Sequence, residues 1–267
     1  MTILQDIQIA FRLLSRNPVP SGIALLSIAL TVGATAVVFA AIKSVLIDPL
    51  PYAQPDELVQ IRTDFPRFRQ QSVGDWVSWN DSQEVIRRTR TLESVGIYRN
   101  AILDLTGSPA TPPQALYGLR VTANLFPLLG VTPMLGRNIL PEEDQPGQPD
   151  RMILSYGLWV RRFNSDRSVV GRAVTVNGHG CTVIGVMPPE FNFPMRRSAV
   201  HTASPYVEFW APLSLSRQGG LGAIARLRPG VTLAQARQDL TSISDALTLE
   251  LPATNRDRTM RLNFVRD

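Results

Sequence analysis

Hydrophobic residues crowd one stretch of this chain and recur at intervals elsewhere. From Asn17 to Ile42 no residue is charged, and Arg16 and Lys43 bound the stretch. Its centre, residues 22–42, is apolar on every side. About 20 apolar residues in a helix span a bilayer core of roughly 30 Å. A helix also pairs its backbone polar groups internally, as hydrocarbon requires. The pattern predicts a transmembrane helix over 18–47, with Pro18 and Pro20 at its start, where a missing N–H costs least. The rival reading is a cleaved signal peptide, since Ala34-Thr35-Ala36 has the small-x-small form of a cleavage site. Against it, the apolar run continues through Val37, Val38, Phe39 and Ile42.

Two features flank or mark this helix. Ile3, Leu4, Ile7, Ala10, Phe11 and Leu14 share one helical face, with Gln5, Asp6, Gln8, Arg12, Ser15 and Arg16 mostly on the other. Residues 1–17 are therefore expected to form an amphipathic helix lying in the membrane interface. Within the span, Ala29 and Gly33 are four apart, as are Ala36 and Ala40, a spacing of small residues that lets another helix approach closely. The alternative is that Ala and Gly are simply common in membrane helices. Arg12, Arg16 and the amino terminus precede the span, whereas Asp48 offsets Lys43, which favours a cytoplasmic N-terminus. The bulk of the chain then lies outside the inner membrane, in the periplasm.

From residue 48 to 267 the pattern changes to short elements of alternating type. Strands are expected at Leu58–Thr63, Ser94–Tyr98, Ala101–Thr106, Gln114–Val121, Met152–Ser155, Leu221–Leu227 and Thr259–Val265. A helix is expected from Asp75 to about Thr89, with Trp76, Trp79, Val85 and Ile86 as its apolar positions. Ala123–Leu129 reads as a short helix closed by Gly130, and another helix follows Ser155 to Phe163. Ala173–Val176 and Cys181–Val186 form a hairpin, because Asn177-Gly178 supplies the positive φ a tight turn needs. The last helix is the best marked: Thr232 and Gln235 make a capping box, and Leu233, Ala236, Leu240, Ile243, Leu247 and Leu251 form one stripe that Pro252 ends. This mixture predicts an α+β domain, with Pro-rich stretches near 108–113 and 188–205 as candidate junctions between two subdomains.

Charge and candidate chemistry narrow the function. The pI near 10.0 raises the question of nucleic acid. However, all but one of the 27 basic residues are Arg, scattered among 22 acids with no long basic run, and no nucleic-acid partner is expected. One cysteine, Cys181, and two histidines, His179 and His201, offer neither a disulfide framework nor a zinc site. No Gly-Lys pair exists, so no Walker-type loop binds ATP. Leu154-Ser155-Tyr156-Gly157 lacks the first glycine of a nucleophile elbow, and Ser155 reads as a helix N-cap. Glu142-Glu143-Asp144 reads as a solvated loop, Cys181 as a core-facing strand residue, and Trp79, Trp159 and Trp210 as packing residues. The expectation is no enzyme, no cofactor and no metal.

One resemblance runs through nearly the whole chain. Leu4-Gln5-Asp6, Leu13 through Pro18, and Val45-Leu46-Ile47-Asp48-Pro49-Leu50-Pro51-Tyr52 are similar to the start of MacB/FtsX-type permeases, in particular the duplicated orphan permeases of acidobacteria. The resemblance continues through Pro55 to Val59, Val121 to Arg137, Leu154 to Trp159 with Arg162-Phe163, Val170-Gly171-Arg172, Val183 to Pro189 with Phe191, and Ala225 to Ala236. It implies a MacB-like periplasmic core domain between the first and second transmembrane helices of an ABC-type permease. It also implies a non-catalytic role, coupling a separate cytoplasmic ATPase to periplasmic motion. The implied partners are the lipid bilayer, that ATPase, and other transmembrane helices or a second permease copy. Such permeases carry further transmembrane helices after the periplasmic domain, and no second apolar span occurs before Asp267. The alternative is a stand-alone, single-span anchored binding or scaffolding module.

Overall fold

The computed structural model describes residues 18–42, 52–64, 73–74, 76–106, 112–191, 193, 207–213, 220–255 and 258–265. It divides into two compact units, up to Leu50 and from Pro51 onward. The amphipathic helix expected over 1–17 lies outside the described residues.

In the first unit, helix α1 (Pro18–Ile42) runs for 25 residues without a charge. At 1.5 Å per residue it is about 37 Å long. Its described large apolar side chains, Ile23, Leu26, Ile28, Leu30 and Val32, are all exposed. Its hydroxyls donate to the helix itself: Ser27 Oγ to the Ile23 carbonyl, Thr31 Oγ1 to Ser27 and Thr35 Oγ1 to Thr31, at 2.8–2.9 Å. Side chains at several positions, 36–42 among them, are not described. Over the residues that are, no helix is long and apolar enough to cross a membrane; the charge-free length of α1 is evident only from its whole backbone.

In the second unit the elements follow in order. They are β1 (Leu58–Asp64), β2 (Val73–Gly74), α2 (Trp79–Arg88), β3 (Leu92–Leu105), β4 (Gln114–Val121), α3 (Leu125–Leu129), β5 (Leu135–Gly136) and β6 (Arg151–Leu154). Then come α4 (Tyr156–Phe163), β7 (Ala173–Val176), β8 (His179–Val186), β9 (Phe209–Pro212), β10 (Gly222–Leu227), α5 (Leu233–Glu250), α6 (Pro252–Asn255) and β11 (Thr259–Phe264). The local signals act as expected. Ser155 Oγ accepts from the Leu158 N–H at 3.1 Å. The Thr232–Gln235 capping box forms. Asn177 and Gly178 take φ of 50° and 79° and reverse the chain in two residues.

Four strands lie in the order β11-β1-β10-β3, all antiparallel to their neighbours. Helix α2 connects β1 to β3, and α5 connects β10 to β11. This is the βαββαβ pattern of split βαβ folds, with everything from β4 to β9 inserted between its second and third strands. The helix-facing side buries Val59, Ile61, Val95, Ile97, Ala223, Ala225 and Leu227 against Val85 of α2 and Ala236, Leu240, Ile243 and Leu247 of α5. The expected stripe of α5 is thus its core face, except that Leu251 is exposed.

The insertion closes on itself. β3 pairs with β4, β4 with β9, β9 with β6, β6 with β8 and β8 with β7. β7 then returns to β3 through Leu105↔Val176, where Thr106 N–H donates to Thr175 O and Asn177 N–H to Asp104 O, both at 2.9 Å. The ring is a six-stranded barrel filled by Leu103, Leu105, Leu116, Met152, Leu154, Cys181, Val183 and Phe209. The candidate junction near 108–113 lies within the connection between the paired strands β3 and β4, and most of the other, near 188–205, lies outside the described residues.

Two expectations shift in position. β3 is a single strand of 14 residues, not two, because β10 takes its first half and β4 its second. Helix α2 starts at Trp79, with Ser78 as N-cap, because Val77 is held in a bridge to Leu221.

Candidate functional site

The segment through which the chain enters the second unit is tied down by ring contacts, backbone hydrogen bonds and a buried guanidinium. Tyr52 is buried and meets the rings of Phe191 and Phe193 edge-on, at 6.3 and 6.2 Å between centroids. Phe193 also meets Tyr98 at 5.1 Å, and Phe191 meets Trp210 at 5.1 Å and Phe126 at 5.9 Å. Burial, with Tyr98 beside it, pushes the Tyr52 phenol above its ordinary value. Tyr52 therefore stays neutral in this apolar setting.

Next to this cluster, Ala53 N–H donates to the Leu129 carbonyl at 3.0 Å. Gly130, the C-cap of α3, takes φ of 69°, and a Cβ there would stand 2.4 Å from that of Ala53. The helix end and the entry segment can thus touch only because residue 130 has no side chain.

Arg226 of β10 holds the arrangement from the sheet side. Ala223, Ala225 and Leu227 face α2 and α5, so alternation sends Arg226 to the opposite face, where it is buried. Its Nη2 donates to the carbonyls of Ala53 at 2.6 Å and Leu128 at 2.7 Å, and Nε donates to Leu128 at 3.1 Å. Nη1 reaches the Gln54 carbonyl and Glu57 Oε2, both at 3.3 Å. The cation thus satisfies the Leu128 carbonyl in the last turn of α3, a favourable end for positive charge. Gln54, bent to φ of 47°, is held in a left-handed conformation that costs a non-glycine residue about 1–3 kcal/mol.

The residues singled out in the sequence lie elsewhere. Ala29 and Gly33 are exposed on α1, and nothing approaches within 4 Å of a Cβ placed at Gly33. The side chains of Ala36 and Ala40 are outside the described residues. Sequence reasoning missed Arg226, whose one available signal was a lone cation inside the apolar run Ala223-Ile224-Ala225-Arg226-Leu227. It also took Glu143 for a solvated residue. Glu143 is buried, grips Arg137 with both oxygens at 2.7 and 2.8 Å, and pairs with Arg151. Burial pushes its carboxyl up, but the Arg137 bonds, the Leu140 N–H and the two cations hold it below the usual range. No cluster able to hold a metal occurs among the described residues.

A second structural lock bears on acid stability. Asp239 of α5 accepts from Thr89 Oγ1, Arg90 N, Thr91 N and Thr91 Oγ1 at 2.8–3.3 Å, fixing the turn between α2 and β3. Burial raises its carboxyl, and these bonds more than reverse that, leaving it depressed. A depressed carboxylate contributes stability that is present above its unfolded pKa, about 3.9, and is lost as pH falls through the folded one. Asp239→Asn is expected to lower stability by about 1–2 kcal/mol at pH 7. The gap to wild type should narrow as the pH falls below about 4 in denaturant titrations, and a gap independent of pH would count against this assignment.

The family model of the MacB-like periplasmic core domain matches residues 21–243. The chain belongs to that family. The match takes in most of α1, the inserted barrel and the split βαβ unit as far as Ile243 in α5. Among solved structures, the periplasmic region of MacB from Actinobacillus actinomycetemcomitans is similar at 15% identity, with a TM-score of 0.54, over 83% of this chain and 94% of that one. The extracellular domain of the noncanonic ABC-type transporter YknZ from Gram-positive bacteria is similar at 10% identity, with a TM-score of 0.54, over 77% of this chain and 99% of that one. At such identities the likeness is one of fold. A comparison with curated protein sequences finds no match. Family membership makes the α+β unit, up to where the match ends, a MacB-like periplasmic core domain.

Proposed function

We propose that this chain is the N-terminal part of a permease subunit of an ABC-type transporter or efflux system. In this reading α1 spans the inner membrane with its N-terminus in the cytoplasm, and a separate cytoplasmic ATPase drives motion of the periplasmic domain. The chain carries out no chemistry of its own. The observation that carries the reading is a family match that runs without a break from the charge-free helix into the domain. The self-satisfied hydroxyls of α1 support it, because polar side chains in hydrocarbon must find partners within reach. The entry segment supports it too. Any displacement delivered along the chain from α1 reaches the domain at Tyr52–Glu57, and there Arg226, α3 and the aromatic cluster share the load. The face of Ala29, Gly33, Ala36 and Ala40 would take another transmembrane helix or a second permease copy.

The test is purification of the full chain from native-host membranes in mild detergent after mild crosslinking. Recovery of an ATP-binding subunit, lost when residues 1–17 are deleted, is the expected result. A chain that resists alkaline carbonate extraction but is recovered alone would favour the stand-alone anchored module. For α1 itself, Gly33→Arg should cost about 2.5–3.5 kcal/mol of insertion free energy, read as the fraction of chain integrated into membranes. Unchanged integration would refute the span.

A further inference from the structure

Helix α4 packs against the core of the six-stranded barrel at one end, and a cavity opens at the other. β6 runs from Arg151 to Leu154 and passes through Ser155 into α4, whose Leu158 and Trp159, with Val169 beyond, join the barrel interior. At the opposite end, where β6 begins, there is a cavity of about 300 Å³ to which all six strands contribute. Its floor is apolar: Leu103 from β3, Val176 from β7, Cys181 from β8 and Ala211 from β9. Its rim is polar, with Arg120 ending β4, Asp150 and Arg151 opening β6, and His179 opening β8. A barrel mouth with an apolar floor and a few convergent polar groups is where small ligands bind, and this volume is at the lower end for such sites.

The rim chemistry selects the ligand. Arg151 is not a bare cation, since Glu143 pairs with it, but Glu143 also holds Arg137, so the three together keep one positive charge. Arg120 donates Nη1 to the Pro212 carbonyl at 3.1 Å. That bond fixes the plane of its guanidinium and leaves the rest of its five-donor fork. Asp150 is the one acid among the lining residues, so the mouth is net positive. Burial, with Asp150 nearby, pushes the Cys181 thiol up to about 12. The thiol is therefore neutral and belongs to the apolar floor.

We propose that this mouth binds a small organic monocarboxylate, tail inward on Leu103, Val176, Cys181 and Ala211, with its carboxylate taken by the fork of Arg120. A guanidinium fork matches a planar carboxylate bidentately. The apolar floor requires a short hydrocarbon or aryl body behind the carboxylate, and the cavity volume limits its length. Of the split βαβ unit only the second half of β3 reaches this site, through Leu103, and the entry segment contributes nothing, so the site stands apart from the contacts of the coupling reading.

Hexanoate is the probe, titrated calorimetrically into the full chain in nanodiscs, with empty nanodiscs as blank. Hexylamine serves as the charge-reversed control and inorganic phosphate as the tail-less one. Cys181, the only cysteine of the chain, supplies a second readout through its rate of modification by methyl methanethiosulfonate. Saturable hexanoate binding that slows Cys181 modification, with neither effect from hexylamine or phosphate, is expected. Arg120→Gln should weaken binding about tenfold or more, as loss of a charge-assisted pair does, with hexanoate binding to the wild-type chain deciding the matter if that variant does not fold. The proposal fails if hexanoate neither saturates nor protects Cys181. It fails equally if hexylamine or phosphate does as well as hexanoate, or if folded Arg120→Gln binds it unchanged.

Discussion

Arg226→Ala lowers the stability of the periplasmic domain by about 3–5 kcal/mol, the range found when one partner of a buried charged network is removed. The substitution withdraws the donors from the carbonyls of Ala53, Gln54 and Leu128 and from Glu57. The first three are backbone groups that cannot move away, and each buried carbonyl left unpaired costs about 1–3 kcal/mol. Arg226→Lys should recover less than half of the loss, because one ammonium cannot reproduce a fork that reaches α3 and the entry segment together. Guanidinium unfolding of the full chain in detergent, followed by circular dichroism, measures both. A loss below about 1 kcal/mol for the alanine variant would mean that water enters and replaces the guanidinium. The entry segment would then be a loose tether, not a clamp.

Trp210→Ala is expected to cost about 3–5 kcal/mol, the range for removing a large aromatic side chain from a core. Trp210 is 1% exposed. It sits across from Leu119 on β4 and Ile153 on β6, on the outer wall of the barrel, where it packs against Phe126 and Phe191 at 6.1 and 5.1 Å between centroids. Its loss therefore opens a cavity where the barrel wall meets the aromatic cluster around Tyr52. Its indole N–H has no hydrogen-bond partner among the described residues. Trp210→Phe accordingly sacrifices volume but no hydrogen bond, and should cost less than half as much. If the two variants were equally destabilised, shape rather than buried volume would govern the site. If alanine cost under about 1 kcal/mol, the cluster would not be the brace described above.

These two residues also mark where sequence reasoning succeeds and where it ends. The burial of Trp210 is legible, because a tryptophan in an apolar run has few other uses. The caps at Ser155 and Thr232, the stop at Gly130 and the reversal at Asn177-Gly178 are legible too, since a few adjacent residues determine each one. Arg226 is not legible. Its partners are backbone carbonyls, which carry no side-chain signature, and they belong to residues brought close only by the fold. β3 defeats local reading for a similar reason. Arg99-Asn100 looks like a break between two strands, yet the backbone continues because β10 and β4 each engage one half. Glu143 looks like part of a solvated acidic run, and only the positions of Arg137 and Arg151 draw it inward. The ring of six strands leaves no trace in hydrophobic periodicity, because closure depends on which strands pair and not on how each is composed.

The nesting of the barrel inside the split βαβ unit sets an order of events at birth. Strand β1 is synthesised early, but beyond the short β2 its partners are β10 and β11: Leu58 meets Arg226, and Val59 meets Phe264. The barrel, in contrast, draws all its walls from residues between Leu92 and Pro212. As the chain emerges, the guest can therefore close while its host still lacks half its strands, leaving Leu58, Val59 and Ile61 on an apolar edge without a ladder. Such edges invite pairing with other chains, and distant pairings form slowly. A nascent chain of this design keeps that edge unpaired until Phe264 arrives, whereas one cut after Pro212 would leave a finished barrel on an unfinished base.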